Sequence, residues 1–169
     1  MIIWFKGISG VGKSTLGKYF YTFNKKKVKN LIYLDGDFFR SLFKNDLGYT
    51  LKDRNINASR LCAFVKFLQL QNINVIVAAN LTSRKYQNWA KKNFTNYLSI
   101  HIDAKLQNLK KRDKKNIYNK KKDVVGVNIK NHKPKNSDLY LENNNSKKKF
   151  LENIKLINNK IKAKKITFN

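Results

Sequence analysis

Apolar residues fall along this chain in short blocks, separated by stretches rich in lysine and asparagine, and the spacing inside the blocks alternates between two kinds. Residues 1–6 (MIIWFK) are a brief apolar run ending at a glycine loop, and residues 14–23 then read as a helix. Residues 30–34 (NLIYL) predict a second strand, stopped by Asp35, Gly36 and Asp37. Over residues 51–70, Ile56, Leu61, Phe64, Val65 and Leu68 recur at helical spacing. Residues 74–79 (NVIVAA) are short, apolar and β-branched, the mark of a strand buried on both faces. A helix is predicted over residues 83–94 and a fourth strand over 97–102 (YLSIHI). A further helix runs through Leu109 into the very basic residues 110–122. Residues 139–141 make a fifth strand and 148–162 a closing amphipathic helix. Strands alternating with helices predict a parallel sheet covered on both faces, in one domain over residues 1–169. There is no internal repeat, and no linker long enough to split the chain.

Charge changes the picture less than its size suggests. Lys and Arg number 37 against 10 Asp and Glu, a formal net charge of +27. Lysine heavily outnumbers arginine, and the lysine runs at 25–27, 120–122 and 147–149 sit beside asparagines. This is a compositional bias of a solvated surface, which attracts anions in general and specifies no nucleic acid. The aromatics lie within the strand and helix patterns, as core residues do, and are not interleaved with basic residues on an open face. Cys62, the single cysteine, excludes a disulfide framework and a multi-cysteine zinc site and reads as a buried thiol. Neither His101 nor His132 has a partner at metal-ligand spacing. No apolar run approaches the ~18–20 residues of a membrane span, and no basic leader precedes the first strand. The expectation is a soluble cytoplasmic protein that engages no membrane.

The chemistry is concentrated in Gly7-Ile8-Ser9-Gly10-Val11-Gly12-Lys13-Ser14, which satisfies G-x-x-x-x-G-K-[ST]. Glycines let successive N–H groups turn inward around phosphate oxygens, Lys13 reaches the β- and γ-phosphates, and the Ser14 hydroxyl is placed to ligate Mg²⁺. A strand before and a helix after are what this mechanism requires, the helix aiming its positive end at the same anion. The sequence therefore predicts an α/β fold of the P-loop NTPase type, a three-layer sandwich with a mainly parallel sheet of about five strands. ATP is expected against Gly7, Ser9, Gly10, Val11, Gly12, Lys13, Ser14 and Thr15. The third strand ends in Asn80 where a motor ATPase has an Asp, and no N-K-x-D guanine motif is present. The nearest acids, Asp35 and Asp37, stand at the carboxyl end of the second strand, the edge where ligands of open α/β sheets collect. Two carboxylates there suit Mg²⁺ binding and acceptance of a substrate hydroxyl proton, the needs of a small-molecule kinase. Lys13, Asp35 and Asp37 are the candidate catalytic residues, with Ser14 and Asp35 at the metal.

Beyond the loop, the segment LDGDFFRSLFKNDLGYTLKDR, the strand NVIVAAN, RDKKNIYNKK and KPKNSDLYL follow in an order that resembles the adenylyl-sulfate kinase family, over residues 1–143. That family phosphorylates the 3′-hydroxyl of adenosine 5′-phosphosulfate with MgATP. Residues 34–54 are the most specific part, resembling L-D-G-D-N-x-R, L-G-F-S and D-R-x-E-N. The resemblance implies that Asp35 and Asp37 lie at the acceptor hydroxyl and that Arg40, Arg54 and Asn57 hold the acceptor's anionic and polar groups. It further implies that Tyr49 stacks on the acceptor base, and that residues 110–127 form a lid. In that lid Arg112 and Lys115 would face ATP and Lys120 the acceptor.

The departures fall on the acceptor side. Phe38 replaces the Asn of D-G-D-N, Ile56 the acid of D-R-x-E-N, and Ser59 an arginine. Asn80, Leu81 and Thr82 open a loop unlike the family's F-I-S-P. Val124, with Gly126, stands in the place of the F-T-G-I phenylalanine that closes the second face of the base clamp. Aromatic stacking is worth ~1–3 kcal/mol per base, so a valine there weakens a purine site. Two readings stay open: an adenylyl-sulfate kinase serving sulfate activation, or the same chemistry on another activated nucleotide. Cytidine diphosphoramidate, used in capsule decoration, is the precedent for the second. The partner implied is a small nucleotide, and a homodimer is left open.

Overall fold

The computed structural model describes residues 1–113, 116–118, 122–129, 134 and 136–168. Five strands form one all-parallel sheet in the order β2-β3-β1-β4-β5: β1 (Ile2–Lys6), β2 (Leu31–Asp35), β3 (Asn74–Ala78), β4 (Tyr97–Asp103) and β5 (Leu139–Glu142). The central strand β1 is buried along its whole length. Ile3 and Phe5 pack on one face with Leu16, Phe20, Ile157 and Ile161, while Ile2 and Trp4 pack on the other with Leu61, Val65, Val77 and Ala90. Two covered faces explain why β1 and β3 read as unbroken apolar runs. The Trp4 indole N–H, fully enclosed, donates to the Ala79 carbonyl at 2.8 Å.

The helices are α1 (Lys13–Asn24), α2 (Gly36–Ser41), α3 (Leu51–Leu70), α4 (Arg84–Asn93), α5 (Leu106–Lys111), α6 (Lys147–Leu151) and α7 (Ile154–Ala163). Strand and helix bounds agree with the sequence pattern to within a residue or two, with two exceptions. Residues 35–37 do not merely stop β2: Asp35 caps a short helix by accepting the Asp37 amide at 2.9 Å. The single closing helix is in fact two. Asn153 donates its side-chain amide to the Phe150 carbonyl at 2.8 Å, and the chain re-enters a helix at Ile154 so that Phe150, Ile154, Ile157 and Ile161 all reach the same core.

Asparagines make the turns into three strands. Asn30, Asn72 and Asn96 take left-handed φ of 51°, 59° and 50° just before β2, β3 and β4. Asparagine is among the few non-glycine residues that visit this region readily. In a chain with 7 glycines, part of the asparagine bias therefore has a structural use. No helix among the described residues is long and apolar enough to cross a membrane.

Candidate active site

All five strands point their carboxyl ends to one edge, and the phosphate loop occupies its centre between β1 and α1. Gly12, at φ 100°, begins α1 without a side-chain cap, so the first N–H groups of the helix face the loop. A Cβ at Gly12 would lie 2.7 Å from the Asn143 amide nitrogen and 2.8 Å from the Phe150 ring, which excludes any larger residue. The Asn143 amide donates to the Val11 carbonyl at 3.0 Å and the Tyr118 hydroxyl to the Ser9 carbonyl at 2.5 Å. Both brace the loop from outside. Lys13 curls back, its ammonium 2.8 Å from the Ile8 carbonyl.

Asp35 ends β2 beside this loop. Its Oδ2 accepts from the Ser14 hydroxyl at 2.6 Å and from the Tyr33 hydroxyl at 3.1 Å, while Oδ1 takes the Asp37 amide. Burial alone would raise the Asp35 carboxyl. The bonds from Ser14, from the Asp37 and Phe38 amides and from Tyr33 outweigh it and hold the group below the usual carboxylate range. Burial, and then the Asp35 charge, push the Tyr33 phenol well above its ordinary value. Ser14 and Asp35 together offer two hard oxygen donors. That set fits Mg²⁺, which keeps water and phosphate oxygens for most of its shell. No group of three or more His, Cys, Asp or Glu able to hold a metal occurs among the described residues.

Asp37 is exposed on the first turn of α2. Arg40, three residues on, is only 8% exposed, and its guanidinium donates to the Gly48 carbonyl at 3.0 Å and to Leu47 at 3.3 Å. The same guanidinium lies 4.8 Å from the Tyr49 ring, and that of Arg54 lies 5.3 Å from it. Thr50 caps α3, which starts Arg54 at the right height to donate to the Tyr49 carbonyl at 2.8 Å and to the Asp123 carbonyl at 2.9 Å. Burial, and then the neighbouring Arg40 charge, lower the Arg54 guanidinium from its ordinary value. Asp37, Arg40, Tyr49 and Arg54 thus meet in one cluster, with a cationic and aromatic lining suited to an anionic nucleotide.

Other expected residues stand differently. Asn57 is half-buried one turn beyond Arg54 on α3. The Asn80 amide donates to the Thr82 hydroxyl at 3.3 Å, and Thr82 is buried. Leu81 is a core residue whose carbonyl takes the Gln87 amide at 2.7 Å, so its side chain offers a ligand no contact. Arg112, expected at ATP, donates to the carbonyls of Asn143 at 2.9 Å and Asn145 at 3.3 Å, tying α5 to the loop after β5. Val124 is 4% exposed, packed in the cluster that holds Ile8, Val11 and Tyr118, and so does not stand open as one wall of a base slot. Gly126, at φ 89°, turns the chain beside Ile8. Thr15 is exposed on the first turn of α1. Lys115, Lys120 and His132 lie outside the described residues. Tyr33, Tyr118 and Asn143 join the site without having been singled out by spacing. Tyr118 is the tyrosine of the RDKKNIYN segment, the one sequence signal that pointed near it.

Comparison with known proteins places the chain among relatives of matching architecture. The family model for adenylylsulphate kinase matches residues 1–142. A cytidine diphosphoramidate kinase of Campylobacter jejuni is 37% identical over 165 residues, covering 95% of each chain. An adenylyl-sulfate kinase of Buchnera aphidicola is 31% identical over 163 residues, covering 88% of this chain and 78% of the relative. The solved structure of the Mycobacterium tuberculosis APS kinase in complex with AMPPNP and APS superposes with a TM-score of 0.83 at 26% identity, covering 95% of this chain and 96% of that one.

Proposed function

Since the chain belongs to the adenylylsulphate kinase family, and is thereby an ATP-dependent kinase of a nucleotide derivative, we propose that its acceptor is the 3′-hydroxyl of cytidine diphosphoramidate. The observation that carries this reading is Val124: a buried aliphatic residue where the resemblance expects a phenylalanine, leaving Tyr49 to stack on the base. A single-ring pyrimidine needs less stacking area than adenine, and the loss of one aromatic face costs it less. The Campylobacter relative, matched over 95% of both chains, supports the same acceptor.

In this reading the loop amides and Lys13 hold the β- and γ-phosphates, and Lys13 exchanges the Ile8 carbonyl for a phosphate oxygen when ATP arrives. Ser14 and Asp35 hold Mg²⁺, which when bound offsets charge on the transferring phosphoryl group. Arg40 and Arg54 fix the anionic diphosphate portion of the acceptor, and Asp37 receives the proton of its hydroxyl as the oxygen attacks the γ-phosphorus, whose bond to the β–γ bridging oxygen breaks and releases ADP. Residues 122–129, pinned to Arg54 through Asp123 and packed on Ile8, close the site from solvent and limit hydrolysis. The second reading, adenosine 5′-phosphosulfate as acceptor, is favoured by the retained Asp35, Asp37, Arg40 and Arg54 frame and by the likeness to the APS-bound kinase.

An ADP-release assay with MgATP and both acceptors separates the two. The cytidine compound should saturate with kcat/KM at least about tenfold above the adenylyl sulfate, the factor that one weakened stacking face produces. The reverse preference would assign the enzyme to sulfate activation.

A further inference from the structure

Tyr33 belongs to none of the motifs that carry the reading above. It lies two residues before Asp35 on β2 and so projects to the same side of the strand. Its ring leans on α1: the Tyr21 ring is 6.0 Å away, and a Cβ on Gly17 would come within 3.2 Å of Tyr33 Cε2. With the ring held there, the hydroxyl is delivered 3.1 Å from Asp35 Oδ2, the oxygen that also receives the Ser14 proton at 2.6 Å. The bond to Oδ1 comes from α2, through the Asp37 amide. Donors on three different elements therefore hold the one carboxylate.

The terminal torsion of an aspartate is broad and soft, so amide bonds from α2 alone define the place of Oδ2 less tightly than a further donor aimed at that oxygen. Ser14 cannot be the fixed reference, because in the kinase reading its oxygen is itself a metal ligand. The Tyr33 hydroxyl also lies 3.4 Å from the Ser14 carbonyl, a longer contact than its 3.1 Å bond to Asp35, and its ring position is set by packing rather than by the nucleotide. We propose that Tyr33 is a positioning residue: its hydroxyl holds Asp35 Oδ2 against Ser14 and so presets the spacing of the oxygen pair that receives the metal of the metal–nucleotide complex. The inference rests on the assignment of Ser14 and Asp35 as that pair. It makes a specific demand on this chain: the gain in nucleotide affinity brought by Mg²⁺ depends on a phenol that never touches the nucleotide.

The test is an equilibrium titration of the full chain with a fluorescent ATP analogue, in excess Mg²⁺ and again in EDTA. Tyr33→Phe keeps the ring against Tyr21 and Gly17 and removes only the hydroxyl. It should weaken binding in Mg²⁺ by about five- to tenfold, the scale of one net hydrogen bond, and leave binding in EDTA within about twofold. KM for MgATP should rise by a similar factor. Tyr33→Leu, which also removes the ring, should lower the thermal midpoint, whereas Tyr33→Phe should leave it near wild type. Asp35→Asn should abolish most of the Mg²⁺-dependent gain. If Asp35→Asn does so and Tyr33→Phe leaves the gain intact, the positioning role is overturned while the oxygen pair stands. If the gain survives Asp35→Asn, the pair itself is wrongly assigned and the role of Tyr33 falls with it. Equal weakening by Tyr33→Phe in Mg²⁺ and in EDTA overturns the proposal as well, since that is the signature of a merely structural residue.

Discussion

Asp35 and Asp37 are separated by one glycine, yet their surroundings differ, and the proposed function gives them different work. The Asp35 carboxylate meets several donors that hold it below the usual carboxylate range, which suits the metal-side place proposed for it. Asp37 stands exposed, with its charge felt by Arg54 of the Arg40, Tyr49 and Arg54 cluster, and in the proposed reading it is the acid an incoming hydroxyl meets. Asp37→Asn should therefore lower single-turnover phosphoryl transfer by about a hundredfold, the usual worth of a general base. ATP binding measured by titration should stay within about twofold. Turnover at the wild-type rate would remove Asp37 from the chemistry. At this scale the sequence was legible wherever function is local. The phosphate loop, the Asp35 and Asp37 pair at the end of β2 and Arg40 three residues on are legible in residue spacing, whereas Tyr49 and Arg54 were pointed to by the family resemblance. Tyr118 on the Ser9 carbonyl and Asn143 on the Val11 carbonyl join residues far apart in the chain, and no spacing rule reports such contacts. Val124 shows the opposite failure: its chemistry was readable, but not that the fold buries it beneath residues of the phosphate loop.

Among the elements, period and length found every strand, because both faces of the sheet are covered and its strands are short apolar runs. What the pattern missed are events decided by single polar side chains, the Asp35 cap that starts α2 and the Asn153 amide that parts α6 from α7. A third such contact anchors the end of the chain. Asp138, just before β5, accepts from the Ser99 amide at 2.8 Å and hydroxyl at 2.9 Å, and pairs with Lys164 beyond α7 at 2.5 Å. Burial would raise the Asp138 carboxyl, but Lys164 and Ser99 prevail and lower it. A depressed carboxylate stabilises the fold above its unfolded value, about 3.9, and the contribution disappears as pH falls through the folded value. Asp138→Ala should cost about 1–2 kcal/mol at pH 7, a figure kept low because Lys164 is open to solvent. Urea unfolding of the two proteins should show that difference shrinking below about pH 4. A difference that persists undiminished in acid would trace the loss to packing instead.

At the scale of the whole molecule, a net charge of +27 surrounds a site for anionic nucleotides. The field raises local nucleotide concentration without choosing among nucleotides, and mobile ions collapse it over a Debye length of about 8 Å at physiological salt. KM for MgATP should accordingly climb several-fold between about 0.05 and 0.3 M KCl while kcat changes little, as steady-state kinetics at the two salts would reveal. A salt-insensitive KM would confine the electrostatics to the phosphate loop. The strand order has a consequence of another kind, in time. β1 and β2 are successive in the chain, yet in space β3 lies between them, and neither pairs with the other. A nascent chain therefore carries the phosphate loop and both aspartates well before it owns the strand that joins them. Until residues 74–78 emerge and slot into place, the first two strands present bare edges with no partner, the condition under which nascent chains stick to one another. The two halves of the active site come into register only at that insertion, a non-local pairing of the slow kind. Birth order, and not only final geometry, thus places β3 at the decisive point of this enzyme's making.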